Sequence, residues 1–211
     1  MRVFSTLVLS ALGLGLATAG AVAGPALTVT SVSVVGDAVT LVTPVGGSTT
    51  AGPILLQTSL GGLVTWCDDL FHEINIGGNQ SLPYTIGVIT TNNDPVSPVT
   101  LTALQIREMT GLAAYGEGLY HNGASNDALA GVQLAIWSIE YPTFTYTGAD
   151  GAPVAADIAL AATLPPGAAQ LVALNGTQGL FTADLQPAPE PASLALLGTG
   201  LLGLALRKRR G

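Results

Sequence analysis

The chain contains a single thiol, Cys67, and among its several glutamines one, Gln133, is set in a markedly apolar stretch, Gly131–Tyr141. A thiol and a carboxamide can react with each other. Attack by the sulfur on the amide carbon expels ammonia and leaves a thioester, an electrophile stored within the fold. Such a bond persists only where water is kept out. Trp66 beside the thiol, and Ile136 and Trp137 one helical turn beyond the amide, are the side chains placed to do this. An arriving amine then displaces the thiol and is joined through an amide. The same residues also have a plainer reading, with Cys67 as a small core hydrophobe and Gln133 as the cap of a nearby backbone group, because a buried amide needs a partner.

Other reactive types are less well arranged. His72 follows Cys67 closely on or just after the same strand, and His121 stands in a glycine-flanked loop where it could assist attack by an amine. Spacing alone supplies no nucleophile–base geometry from either histidine. Asp68, Asp69 and Glu73 lack the ligand spacing of a calcium loop and read as a solvated acidic edge. No metal ligand, cofactor or catalytic set is assigned, which points to a binding protein and not an enzyme. Asp68 directly follows the thiol, and an acid there should raise the pKa of Cys67 and oppose thiolate formation.

The elements that must position these groups follow from periodicity. Residues 27–34 alternate apolar and hydroxyl side chains as a half-exposed strand does, and 38–42 resume the pattern after Gly36-Asp37, which predicts a hairpin. Residues 53–58 and 62–67 form two further strands. Residues 77–98 read as a long loop with a short strand near 84–89. From residue 99 the period changes to that of a helix running to Tyr115, and a second helix covers 127–141, capped by Ser125 or Asn126 and stopped by Pro142. A third helix is expected over 154–163, a turn over 168–174 and a closing strand over 179–185. The class is α+β, with a β-sandwich or barrel-like subdomain joined to a small helical one.

Composition bounds the setting. Residues 1–23 have a basic start, an apolar run and Ala-x-Ala sites after which cleavage could fall (Ala19 or Ala23), the organisation of a secretory signal peptide. The exported body is then 24–186. It retains a single basic residue, Arg107, with every acid of the chain except Glu190. A body so acidic has no electrostatic means of gripping phosphate backbones, which excludes nucleic-acid binding. It also lacks lysine, so it offers no side-chain amine to an electrophile of its own. With one cysteine it forms no internal disulfide.

The end of the chain, 187–211, is tripartite. Pro189-Glu190-Pro191 leads into an apolar, glycine-containing stretch, and Arg207, Lys208, Arg209 and Arg210 follow. As a helix the apolar stretch reaches roughly 22 Å, short of a hydrocarbon core of about 30 Å, and its basic end should stay cytoplasmic. This segment resembles the PEP-CTERM sorting signal of Gram-negative bacteria. The resemblance implies Sec export, a transient inner-membrane anchor and removal by an exosortase, with the body left at the cell surface or in the matrix. The body carries a second resemblance. Trp66-Cys67-Asp68-Asp69-Leu70-Phe71-His72 and Val132-Gln133-Leu134-Ala135-Ile136-Trp137 are similar to the two motifs of the Cys-Gln thioester domains of bacterial surface adhesins, except that Asp68 stands where an apolar residue is usual. That resemblance implies a Cys67–Gln133 thioester directed at an amine-bearing polymer or protein. The alternative is a non-covalent structural or binding module of the exopolysaccharide or biofilm matrix.

Overall fold

The computed structural model describes residues 27–173 and 178–185. The proposed signal peptide and sorting segment lie outside the described residues. Nine strands and three helices are distinguished among them. Strands β1 (Leu27–Val34), β4 (Ile54–Thr58), β5 (Gly61–Cys67), β6 (Gly77–Gly87), β8 (Ala169–Ala173) and β9 (Leu180–Thr182) close into a six-stranded barrel in the order β1-β4-β5-β9-β8-β6. A separate sheet joins β3 (Gly47–Ala51), β2 (Asp37–Thr43) and β7 (Thr145–Gly148) in the order β3-β2-β7. The fold is thus mixed and sheet-rich, a barrel with helices packed on it.

The helices are α1 (Ala103–His121), α2 (Asn126–Glu140) and α3 (Val154–Ala161). Helix α1 begins at a capping box in which Thr102 and Gln105 satisfy each other's backbone N–H groups. Ser125 caps α2 by accepting from the Ala128 N–H at 3.3 Å, and Asp127 sits favourably in its first turn. Pro142 follows its last turn, where the ring cannot continue a helix. Helix α2 is buried on two faces. Ala130, Leu134 and Trp137, with Tyr141 just beyond, join a cluster with Leu27, Leu56, Leu63 and Leu180 of the barrel and Val39 and Leu41 of the second sheet. Leu129, Val132 and Ile136 join Met109, Leu112 and Ala113 of α1, with Trp66 and Phe181 from the barrel.

This arrangement explains why Thr65, Trp66 and Cys67 are all buried at the end of β5. Successive side chains on a strand face opposite ways, and here one face meets the first cluster through Cys67 while the other meets the helices through Trp66. Gly116 marks how closely α1 approaches: a Cβ there would collide with the Trp66 ring and with Val132. Gly116→Ala should therefore destabilise the fold by about 1–3 kcal/mol, the usual cost of overpacking, measurable by urea unfolding. A neutral result would mean that α1 does not pack this tightly.

Several expected elements are corrected. The stretches β1 and β2 do not form a hairpin. Each pairs with other strands in a different sheet, and the chain parts at Gly36, where φ is 145° and the backbone of Ala51 lies too close for any side chain. Much of the expected loop at 77–98 is the eleven-residue strand β6, paired with β1 on one side and β8 on the other. Residues 169–173 are a strand and not a turn. Helix α1 starts at Ala103 and continues to His121, and β3 and β7 were not anticipated. No helix among the described residues is long and apolar enough to cross a membrane.

Candidate functional site

Strand β5 and helix α2 bring Cys67 and Gln133 into direct contact, both essentially inaccessible to solvent. The contact is reciprocal and runs through the cysteine backbone. The Cys67 N–H donates to Gln133 Oε1 at 3.0 Å, and Gln133 Nε2 donates to the Cys67 carbonyl at 2.7 Å. The amide therefore has the backbone partner that a buried carboxamide requires. The end of β5 in turn has its outer hydrogen bonds completed by a side chain.

The thiol is held separately. Cys67 Sγ donates to the Asp69 carbonyl at 3.1 Å, accepts from the Asp69 N–H at 3.3 Å and accepts from Gln178 Nε2 at 2.8 Å. Burial pushes the Cys67 thiol well up; Asp68 and Asp69 add to the rise, while the Asp69 backbone and the Trp137 indole oppose it. The sequence-based expectation for Asp68 thus has the right sign, but desolvation is the larger cause. The Trp137 indole N–H meets no acceptor at hydrogen-bond distance.

Cys67, Gln133, Trp137 and Gln178 open onto one cleft of about 540 Å³, walled by Leu70, Phe71, Ile74 and Leu41. His72 and Glu73 also line it. Asp69 organises this wall, with Oδ1 accepting from the Phe71 and His72 N–H groups at 2.9 and 3.1 Å and Oδ2 bonded to His72 Nδ1 at 2.8 Å. Trp66 and Ile136 lie elsewhere. Both are fully buried in the helix-facing cluster, so of the three proposed pocket residues Trp137 alone lines the cleft. Asp68 and Asp69 are buried, so the stretch is not a solvated acidic edge; only Glu73 of the three keeps that character.

Two residues that spacing did not single out complete the site. Gln178 binds the thiol and also donates to the Asp69 carbonyl at 2.9 Å. The Tyr141 hydroxyl donates to the Asn92 carbonyl at 2.9 Å and accepts from the Leu70 N–H at 3.3 Å, tying the segment after Cys67 to the end of α2. A tyrosine directly before Pro142 was the available signal for the second; nothing in the chain pattern marks Gln178.

The site also contains buried acids. Asp68 and Glu140 are almost completely buried, and none of their four carboxylate oxygens has a hydrogen-bond partner. Burial holds both carboxyls well above the ordinary range, and each is raised further by neighbouring acids, Asp69 for the first and Asp68 and Asp69 for the second. His121 is not among the residues that line this cleft. It lies on the C-terminal turn of α1 beside Glu117 and Asp184, and there burial first, then the Asp184 carboxyl, pushes Glu117 up to about 7.

Comparison with known proteins bears on the end of the chain. A family model described as the PEP-CTERM protein-sorting motif matches residues 187–210. The chain carries a PEP-CTERM sorting motif. PEP-CTERM proteins are processed by exosortase, a membrane protease, and the signal implies transit through the membrane to the cell surface. The segment includes Pro189, Glu190 and Pro191 and the basic cluster Arg207–Arg210, all outside the described residues. No curated protein and no solved structure gives a significant match to the chain.

Proposed function

We propose that the exosortase-sorted body is an adhesion module whose Cys67 and Gln133 form an internal thioester that captures an amine on a surface polymer or protein. The observation that supports this reading is the reciprocal Cys67–Gln133 pair, buried at the wall of an open cleft. The Cys67 N–H already polarises the carboxamide oxygen at 3.0 Å, so the donor needed by a tetrahedral oxyanion is in place before attack. Sulfur bonds to the Gln133 side-chain carbonyl carbon, the C–Nε2 bond breaks, and the thiol proton leaves on nitrogen as ammonia. Later, a primary amine entering the cleft bonds to the same carbon. The C–S bond breaks, Cys67 regains a proton from the amine, and an amide to Gln133 remains.

A second reading is favoured by a different observation. The carboxamide bonds the Cys67 backbone through both its oxygen and its nitrogen, and the thiol is held neutral by burial. Those facts suit a non-covalent matrix module in which the pair only fastens β5 to α2.

Intact mass of the purified chain separates the two. The thioester reading expects a mass lighter by one ammonia, addition of methylamine at Gln133 with release of a free thiol, and full mass in Cys67→Ala. Full mass with an alkylatable Cys67 and an unmodified Gln133 would leave the non-covalent module.

A further inference from the structure

The structure points to a second site, away from the cleft: we infer that Glu117, His121 and Asp184 form a binding site for one first-row divalent metal ion of zinc's class. Along the chain these residues show no ligand spacing; folding assembles them. Glu117 and His121 lie four apart on the last turns of α1 and so share a face. Asp184 comes from the turn after β9, the barrel strand beside β5. One donor atom from each residue lies within 4.8 Å of the other two, and His121 Nε2 is 4.0 Å from Glu117 Oε1 and from Asp184 Oδ1.

Three features distinguish this trio from a chance acidic patch. First, each carboxylate is aimed from outside the trio. The Ala183 N–H holds Glu117 Oε2 at 2.9 Å and the Val64 N–H holds Asp184 Oδ2 at 2.6 Å, and the other oxygen of each is the one 4.0 Å from the His121 ring. Metal-binding carboxylates are typically oriented by such outer hydrogen bonds. Second, the third donor is an imidazole nitrogen, which calcium and magnesium seldom use and zinc favours. Third, the two carboxylates lack a fixed positive partner among the described residues. Arg107, the one arginine described, bonds the Ala162 carbonyl and lies 3.6 Å from Glu108.

Tetrahedral coordination with bonds of about 2.0–2.1 Å sets donors about 3.4 Å apart. The 4.0 Å spacings close to that through small rotations, and His121, more than half exposed, is free to make them. Water would fill the fourth position. An ion here would pin the turn after β9 to the end of α1, three residues before the sorting motif begins at residue 187. It would thus brace the body where the chain departs for its processed tail.

Calorimetric titration of the full, untagged chain in mild detergent, stripped with EDTA, tests the assignment with zinc chloride as the probe. One equivalent should bind with micromolar or tighter affinity and raise the melting temperature. His121→Ala and Asp184→Asn should each weaken binding at least tenfold, whereas His72→Ala, on the cleft side, should leave it unchanged. His121 is exposed, so its variant should retain the parent's circular dichroism. No zinc binding, undiminished binding in His121→Ala, loss in His72→Ala, or calcium binding in preference to zinc would each overturn the site.

Discussion

In a Cys67→Ala background, where no cross-link can form, a further Gln133→Ala substitution should destabilise the fold by about 3–5 kcal/mol. The estimate follows from what the side chain holds. Truncation removes the acceptor of the residue-67 N–H and the donor to its carbonyl, both in the interior. Each buried backbone group left unpaired costs about 1–3 kcal/mol, and the space vacated in the interior adds a cavity cost. For a chain of this size that corresponds to roughly 10 °C in melting temperature. Urea unfolding measures it, and a loss below about 1 kcal/mol would show that the amide does not fasten β5 to α2. The background matters because a thioester would replace one of these hydrogen bonds by a covalent link. Comparing Gln133→Ala with and without Cys67 therefore separates the fastening role from the chemical one.

What could be read from the chain divides by range. Helix α2 was legible because its signals are local: Ser125 at the start, apolar residues at helical spacing, Pro142 at the end. The strands β1, β4 and β5 were legible for the same reason, their alternation or apolar content being continuous. Strand β6 was not, since its first residues, Gly77-Gly78-Asn79-Gln80-Ser81, have poor strand propensity. Gly77 and Gly78 are held as strand by pairing with Val32 and Ser31 of β1, far back in the chain, while β8, more than eighty residues on, pairs only the later part of β6 at residues 84–87. The hairpin expected at Gly36 failed similarly. A glycine-aspartate turn is compatible with a hairpin, but sheet membership was decided by the Ala51–Gly52 backbone packed against it, a contact no local pattern encodes.

The site shows the same division. Helical spacing placed Gln133, Ile136, Trp137 and Glu140 on one face; Gln133 and Trp137 do turn toward the strand end that carries the single thiol, whereas Ile136 packs in the cluster facing α1. Both forms of the contact, amide to thiol and amide to backbone, were legible as alternatives, but the choice between them was not. Whether an amide meets a thiol or the backbone carrying it depends on how far β5 extends, and β5 ends at Cys67 itself. Trp66 was assigned to the pocket through its neighbour in sequence, but adjacency on a strand means opposite faces, and the ring packs on the helices instead. Gln178 approaches the thiol from the far end of the chain, where only folding could bring it.

Glu140 yields the second large effect. Glu140→Met should raise stability by about 1–4 kcal/mol at mildly alkaline pH, the range found when buried charged groups give way to apolar residues of similar volume. Both its oxygens are buried without partners. The neighbouring carboxyls make ionisation harder: Asp68 is equally unpartnered, while Asp69 is committed to the Phe71 and His72 N–H groups and the His72 ring. The sign of the pH dependence follows. Burial raises the folded-state pKa of Glu140 and of Asp68 above the unfolded values, so between those limits the folded chain binds more protons than the unfolded one. Stability from these groups is then full below the ordinary carboxyl range, about pH 4, and is lost as pH rises through it toward the raised values. The wild-type chain should accordingly unfold at lower urea at about pH 8 than at about pH 5.5. Glu140→Met should lose much of that difference, and Asp68→Asn part of it. A wild-type chain more stable at the higher pH would mean that the two acids are charged in the fold and partnered. Because Asp68 directly follows Cys67 and acts on its thiol, the same titration reaches the cleft: above the raised carboxyl range its negative charge would further oppose a thiolate. Any Cys67–Gln133 chemistry should therefore be faster in Asp68→Asn than in the wild type at alkaline pH, and it is the neutral form of Asp68 that opposes the thiolate least.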